Sequence, residues 1–273
     1  MEPGQEYGLQ HEDANAKRSR RVTVIMVMDF VCVALLLVYA GYFAVTQYLG
    51  TPPYVDEERY PVRGIDISSH NGMMNFEAAK ADGIEFVFIK ASEGDTYGDP
   101  NFILNYEKAV AAGLKVGAYH YFRFDAGGVS QAMNLLDRVS GRPLDLGLAV
   151  DVEEHGNAKG VDATLIADRL ASMLEYLNLK GYRVTLYTNA DGYYKYLEGN
   201  FQGQPLWVCA FSNPPISADW VFWQYNHRGR VKGINGDVDM NAFNGSRAEW
   251  YDHLSRYRQP EESVDGDYMQ GDM

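Results

Sequence analysis

The chain has 273 residues, 46% of them hydrophobic and 13% aromatic, with a formal net charge of −13. That length and apolar content suffice for one large core or two modest ones. The acidic balance argues against a nucleic-acid partner, which needs clustered Lys and Arg. The two cysteines, Cys32 and Cys209, lie too far apart in context to form a disulfide framework.

Residues 1–21 are polar and end in Lys17, Arg18, Arg20 and Arg21, which reads as a cytoplasmic tail. Residues 22–45, VTVIMVMDFVCVALLLVYAGYFAV, carry a single charge, Asp29. As a helix they span roughly 36 Å, enough for the ~30 Å hydrocarbon core of a bilayer. Asp29 costs about 2–3 kcal/mol there, less for its off-centre position. Basic residues precede the segment and TQYLGTPPYVDEE, which follows it, has none. The positive-inside rule thus predicts a single-pass protein of the cytoplasmic (inner) membrane, its N-terminus inside and the rest periplasmic or extracellular. A cleaved signal peptide is the alternative, with VYA at 38–40 as a cleavage site. Its apolar region would usually be shorter and its basic region would not usually run to residue 21. Residues 46–61, with Pro52 and Pro53, read as a stalk.

From residue 62 to 245 strand and helix patterns alternate. Strands are expected at 63–68, 85–92, 115–122, 146–153, 184–189, 206–211, 221–226 and 238–243. Helices are expected at 76–81, 102–112, 129–139, 163–179 and 191–196. In ATLIADRLASMLEYLNLKGY the residues Leu165, Ile166, Leu170, Met173, Leu174 and Leu177 form one apolar stripe, and Gly181 is a stop signal. Alternation of this kind implies parallel strands joined by crossovers. Eight strands and about five helices predict an α/β fold, a TIM-like β/α barrel with an incomplete helix ring. A doubly wound open sheet is the alternative, but no GxGxxG follows a strand. Residues 246–273 read as a C-terminal helix and an acidic, disordered tail.

In such a barrel the chemistry gathers at the C-terminal strand ends. Polar residues gather there too: Asp66, Ser68, Glu93, His120, Tyr121, Asp151, Glu153, Thr188 and Asn189. Alternation along LGLAVDVEE (146–154) puts Leu148, Val150 and Val152 on the face toward the helices. Gly147, Ala149, Asp151 and Glu153 share the face toward the barrel interior. The first strand repeats this, with Ile65 and Ile67 outward and Gly64, Asp66 and Ser68 inward. Asp239 and Asn241 share a face in the eighth. Four carboxylates then converge on one mouth.

Crowded carboxylates raise at least one pKa. A carboxyl kept protonated is a general acid, and an ionised neighbour stabilises positive charge, the division of labour that glycoside hydrolysis needs. Asp151 and Glu153 are about 6.5 Å apart along an extended strand, so both reach one linkage. A lone D-x-E is more often a solvated loop start. A divalent cation could also occupy four carboxylates, yet no His pair has ligand spacing, so neither metal nor cofactor is expected. His120 reads as a hydrogen-bonded wall residue, Lys90 as an ion-pair partner for one of the acids or a surface residue, and Cys209 as a small core residue. The many Tyr and Trp suit either packing or a sugar-binding groove.

The stretches RGIDISSHNG, FVFIKASEG, GLKVGAYHYF, LAVDVEE, WQYN and GDVDMNAF occur in the order seen in glycoside hydrolase family 25. This family comprises Chalaropsis-type lysozymes and muramidases, and the resemblance covers about residues 62–244. It implies a barrel of the kind argued above. It also implies cleavage of the β-1,4 bond between N-acetylmuramic acid and N-acetylglucosamine in peptidoglycan glycan strands. By motif, Glu153 matches the acid/base. Asp151 matches the residue that orients the substrate's 2-acetamido group, with retention by substrate assistance. Asp66 and Asp239 match the two other acids of the cleft. Tyr121, Tyr187, Gln224, Glu93 and Trp207 are candidate sugar contacts. Asn71, where the family often has an aromatic residue, and Phe211 in LWVCAF depart from the pattern at sugar subsites. A chitinase-like N-acetylglucosaminidase and a non-catalytic peptidoglycan-binding module remain alternatives.

Overall fold

The structure is a computed structural model, and it describes residues 23–43, 55–211 and 219–256. The expected cytoplasmic tail, most of the stalk and the acidic tail lie outside the described residues. Helix α1, Thr23–Phe43, is apolar and long enough to cross a membrane.

The remaining described residues build a closed barrel. Its strands are β1 (Arg63–Ile67), β2 (Ile84–Glu93), β4 (Lys115–Tyr121), β5 (Leu148–Asp151), β6 (Val184–Asn189), β7 (Leu206–Cys209), β8 (Phe222–Gly229) and β9 (Val238–Phe243). Each pairs with the next, and β9 returns to β1. A two-residue strand, β3 (Tyr97–Gly98), folds back antiparallel on the end of β2. Sequence patterning gave no sign of β3, because two residues are too few to show a period.

Parallel pairing holds from β1 through β8, but β9 runs antiparallel to both β8 and β1. The connection 230–237 explains this departure. A parallel return needs a crossover of roughly a dozen residues or more, whereas a short link permits only a hairpin. The reversal makes β9 present its N-terminal end, with Asp239, at the mouth where the other strands present their C-terminal ends.

Helices α2 (Phe76–Ala81), α3 (Phe102–Ala111), α4 (Gly128–Val139) and α5 (Ala163–Leu179) pack around the barrel. Asp162 caps α5 by accepting from the backbone N–H of Thr164 at 2.9 Å and Leu165 at 3.3 Å. Gly181 follows its end at φ +82°. Ile166, Leu170, Met173, Leu174 and Leu177 are buried, but Leu165 is 43% exposed. It sits one residue, about 100° of helix, from Ile166, so the stripe turns away from it. The expected helix at 191–196 is a short turn, α6 (Ala190–Gly192), running into a π-helical turn at Tyr193–Leu197. The C-terminal helix α7 spans Arg247–Arg256.

Strand alternation separates two cores. Outward side chains, including Ile65, Ile67, Leu148, Val150 and Val152, pack against the helices. Inward ones, including Phe86, Phe88, Ala149, Trp207 and Phe222, fill the barrel. The inner core is workable because large and small residues alternate around it. A Cβ at Gly64 would lie 2.3 Å from the Phe86 ring, and one at Gly117 would lie 2.4 Å from the Phe88 ring. Each buried Phe contributes about 1.5–3 kcal/mol. Trp250 of α7 closes the barrel's lower end against Phe86 and Phe243, at ring separations of 5.4 and 5.1 Å. The polar mouth lies at the opposite end.

Candidate active site

Asp66, Asp151, Glu153 and Asp239 meet in one cleft of about 250 Å³. Asp66 stands near the end of β1, Asp151 closes β5, and Glu153 follows two residues on. Tyr121, Tyr187, Trp207 and Gln224 line the same cleft, as do Lys90, Tyr119, Ser68 and His70. Tyr119 shares the inward parity of Tyr121 and Gly117, which the alternation in AYHYF already carries. A larger hollow of about 470 Å³ at the starts of β7 and β8 shares no residue with the acid cluster.

A network of amides fixes Asp66. Gln224 Nε2 and Asn241 Nδ2 both donate to Asp66 Oδ2, at 2.9 and 2.7 Å. Behind them, Tyr187 OH donates to Gln224 Oε1 at 2.9 Å, and Trp207 Nε1 donates to Asn241 Oδ1 at 2.8 Å. Trp207 is 2% exposed and stacks on Phe88 at 4.5 Å, so it forms the cleft floor. Asn241 is the second amide on Asp66. Its inward parity with Asp239 was visible in VDMNAF, but its partner was not.

Burial pushes all four acids upward, for removal from water disfavours the charged form. Asp66 rises to about 6, with the bonds from Gln224 and Asn241 pulling back. Asp239 rises to about 8, through burial and then the charges of Asp66 and Glu153. Asp151 is raised well above the usual carboxylate range by burial, then by Glu153 and Asp66. Its Oδ1 is buried and has no hydrogen-bond partner among the described residues. Glu153 is raised by burial, opposed by His155 and Lys90.

Glu93 is engaged by two cations. Lys90 Nζ meets Oε2 at 2.7 Å and Arg123 Nη1 meets Oε1 at 3.5 Å. Lys90 also lies over the Tyr121 ring, 4.9 Å from its centroid, and 5.8 Å from that of Tyr97. It is therefore an ion-pair partner, of Glu93. Glu154 turns out of the cleft to Lys195 and to Tyr196 OH at 2.5 Å.

His120 points out of the barrel. Its Nδ1 lies 2.8 Å from Ser92 Oγ and its Nε2 lies 3.0 Å from Gln131 Oε1. It is fully buried, and burial lowers its pKa to about 4. The outward parity of His120, opposite to Tyr119 and Tyr121, accounts for its absence from the cleft. Burial pushes the Cys209 thiol up to about 12, which keeps it neutral.

The cleft thus gathers four carboxyls whose pKa values burial raises. It can give a proton to a leaving oxygen and receive one from water.

The comparisons with known proteins agree with that chemistry. The family model for Glycosyl hydrolases family 25 matches residues 65–234. The chain is 38% identical over 184 residues to an autolytic lysozyme of Clostridium acetobutylicum, covering 67% of this chain and 56% of that one. Thus it spans little more than half the length of that relative. Among solved structures, a family 25 glycosyl hydrolase from Bacillus anthracis matches with TM-score 0.67 and 28% identity, over 73% of this chain and 95% of that one. A bacterial lysozyme from Streptomyces coelicolor matches with TM-score 0.64 and 32% identity, over 72% and 96%. The chain belongs to glycosyl hydrolase family 25, and its barrel is a glycoside hydrolase domain.

Proposed function

We propose that the protein is a membrane-anchored muramidase that cleaves the β-1,4 bond between N-acetylmuramic acid and N-acetylglucosamine in peptidoglycan. The observation that carries this reading is the convergence of Asp66, Asp151, Glu153 and Asp239 on one cleft. Relatives named as lysozymes support the substrate class.

Glu153, with its raised pKa, protonates the glycosidic oxygen as the C1–O bond breaks. The carbonyl oxygen of the substrate's own 2-acetamido group attacks C1 from the opposite face and takes up the positive charge. Asp151 accepts from the acetamido N–H, which orients that group. The unpartnered Asp151 Oδ1 has the lone pairs to do so. Water then attacks C1 and breaks its bond to the acetamido oxygen, while Glu153, now ionised, takes the water's proton. Two displacements at one carbon retain configuration. Asp66 and Asp239 flank the site, and Tyr121, Tyr187 and Gln224 border the sugar, whereas Glu93 is tied to Lys90 and Arg123 outside the cleft lining.

Helix α1 ties the barrel to the outer face of the cytoplasmic membrane, where the cell's own wall is the substrate at hand. The basic run Lys17–Arg21 before it favours that orientation.

Borohydride reduction of the released fragments identifies the new reducing end. Muramitol is expected, and glucosaminitol would replace this reading with an N-acetylglucosaminidase. The intact mass of the membrane-extracted protein tests the anchor. A chain retaining residues 22–45 is expected, and one starting after Ala40 would show a cleaved signal peptide.

A further inference from the structure

We propose that Asn157 and Arg123 are positioning residues that hold the backbone of Glu153 where its carboxyl meets the glycosidic oxygen. The inference rests on the acid/base role given to Glu153 above and assigns a task to two residues outside that role.

Glu153 lies beyond the last ladder position of β5, which ends at Asp151. The Val152 N–H still donates to the Tyr187 carbonyl at 2.8 Å, and side chains hold the carbonyls of Val152 and Glu153. Thr188 Oγ1 donates to the carbonyl of Val152 at 2.7 Å. Asn157 Nδ2 donates to the carbonyl of Glu153 at 2.9 Å and to that of Phe122 at 2.9 Å. Its Oδ1 accepts from the N–H of Phe124 at 2.8 Å. One amide therefore staples the residue after the β5 ladder to the segment after β4. The turn between them is tight: Asn157 N–H donates to the Glu154 carbonyl at 3.1 Å, and Gly156 sits at φ +77°.

Arg123 braces the same turn. Its Nη1 donates to the Gly156 carbonyl at 2.8 Å and pairs with Glu93 at 3.5 Å. Arg123 is in turn gripped through its backbone by Gln131, which accepts from its N–H at 2.7 Å and donates to its carbonyl at 3.0 Å. Gln131 is fully buried and bonded to His120. A rigid chain thus runs from the barrel wall to the loop of Glu153. Tyr121 OH adds a bond to the His155 carbonyl.

Such a scaffold acts on the reacting geometry more than on substrate affinity, since misplacing a catalytic group by about 1 Å costs up to 100-fold in rate. The test uses the full-length protein in detergent and soluble, uncross-linked peptidoglycan strands. Asn157→Ala and Arg123→Ala are each expected to lower kcat about tenfold or more, with KM within about twofold of wild type. The double variant is expected to fall well short of the product of the two effects, because both act through one loop. Arg123→Lys, which keeps a donor for the Gly156 carbonyl, is expected to recover part of the loss and covers the case in which Asn157→Ala does not fold. Unchanged kcat in both alanine variants, a loss confined to KM, or fully multiplicative losses would overturn the proposal. An inactive wild type would overturn the muramidase reading, and this one with it. An active wild type with unaffected variants would overturn this one alone.

Discussion

Asp66 of β1 stands directly opposite Asp239 of β9 in antiparallel register. Two carboxylates on facing positions of adjacent strands repel, and such pairs destabilise a sheet. The fold accepts that cost because β9 is reversed and so delivers Asp239 to the mouth. Gln224 of β8 and Asn241 of β9 hold Asp66 in place by donating to its Oδ2.

Asp239→Asn is expected to stabilise the protein while lowering activity. The sign follows from linkage. The Asp239 carboxyl titrates near 8 when folded and near its ordinary value of about 4 when unfolded, so ionisation opposes folding across that window. The gain in Tm over wild type is expected to be small below pH 4, to grow as the pH rises, and to level off near pH 8. Calorimetry across that range checks it, and a gain independent of pH would contradict the assignment.

Gln224→Ala removes one donor from Asp66 and leaves the Tyr187 hydroxyl without its acceptor. Loss of a buried partner costs about 1–3 kcal/mol. The bond from Gln224 lowers the Asp66 pKa, so the variant is expected to titrate Asp66 above about 6. Carbon-detected NMR of the labelled carboxyls measures the shift. An Asp66 value at or below that of the wild type would exclude the hydrogen bond as its cause.

His120 is buried neutral, with a folded pKa of about 4 against 6.5 for the free side chain. A depressed folded pKa contributes stability that is present above 6.5 and lost as the pH falls through about 4. His120→Phe removes that acid sensitivity. It also leaves Ser92 and Gln131 each one partner short, for a loss of about 1–3 kcal/mol at neutral pH. Urea denaturation at pH 7 and pH 4.5 separates the two effects. The gap between wild type and variant is expected to narrow at the lower pH.

Gly117→Ala would place a methyl group 2.4 Å from the Phe88 ring inside the barrel. Overpacking of that kind costs about 1–3 kcal/mol. Its effect on stability is expected to exceed its effect on KM, for Gly117 lies below the acids. Thermal unfolding and kinetics on one preparation check the split.

Much of this was legible in the amino-acid order. The period-two pattern around Asp66 and Asp151 sorted each strand into a face toward the helices and a face toward the interior, and the structure has the same division. The Asp162 cap and Gly181 bounded α5 for local reasons. What stayed hidden depends on distance in space. The hairpin β3 is too short for a period. The reversal of β9 follows from loop length but not from its own residues. Asn241, Lys90 and Asn157 are ordinary polar residues until their partners, from 3 to 175 positions away, are known. Trp207 looks like a sugar platform in LWVCAF, and only the packing of the inner core shows it lying on Phe88.

Glu153 is proposed as the acid/base of a peptidoglycan hydrolase. Release of soluble muropeptides from purified peptidoglycan by the full-length protein, compared with Glu153→Gln, tests it most directly. The wild type is expected to release fragments ending in reducing N-acetylmuramic acid, and the variant to lose about 10²–10⁴ of that rate while staying folded. Release by Glu153→Gln at the wild-type rate would contradict the role, and binding without release by the wild type would contradict the activity.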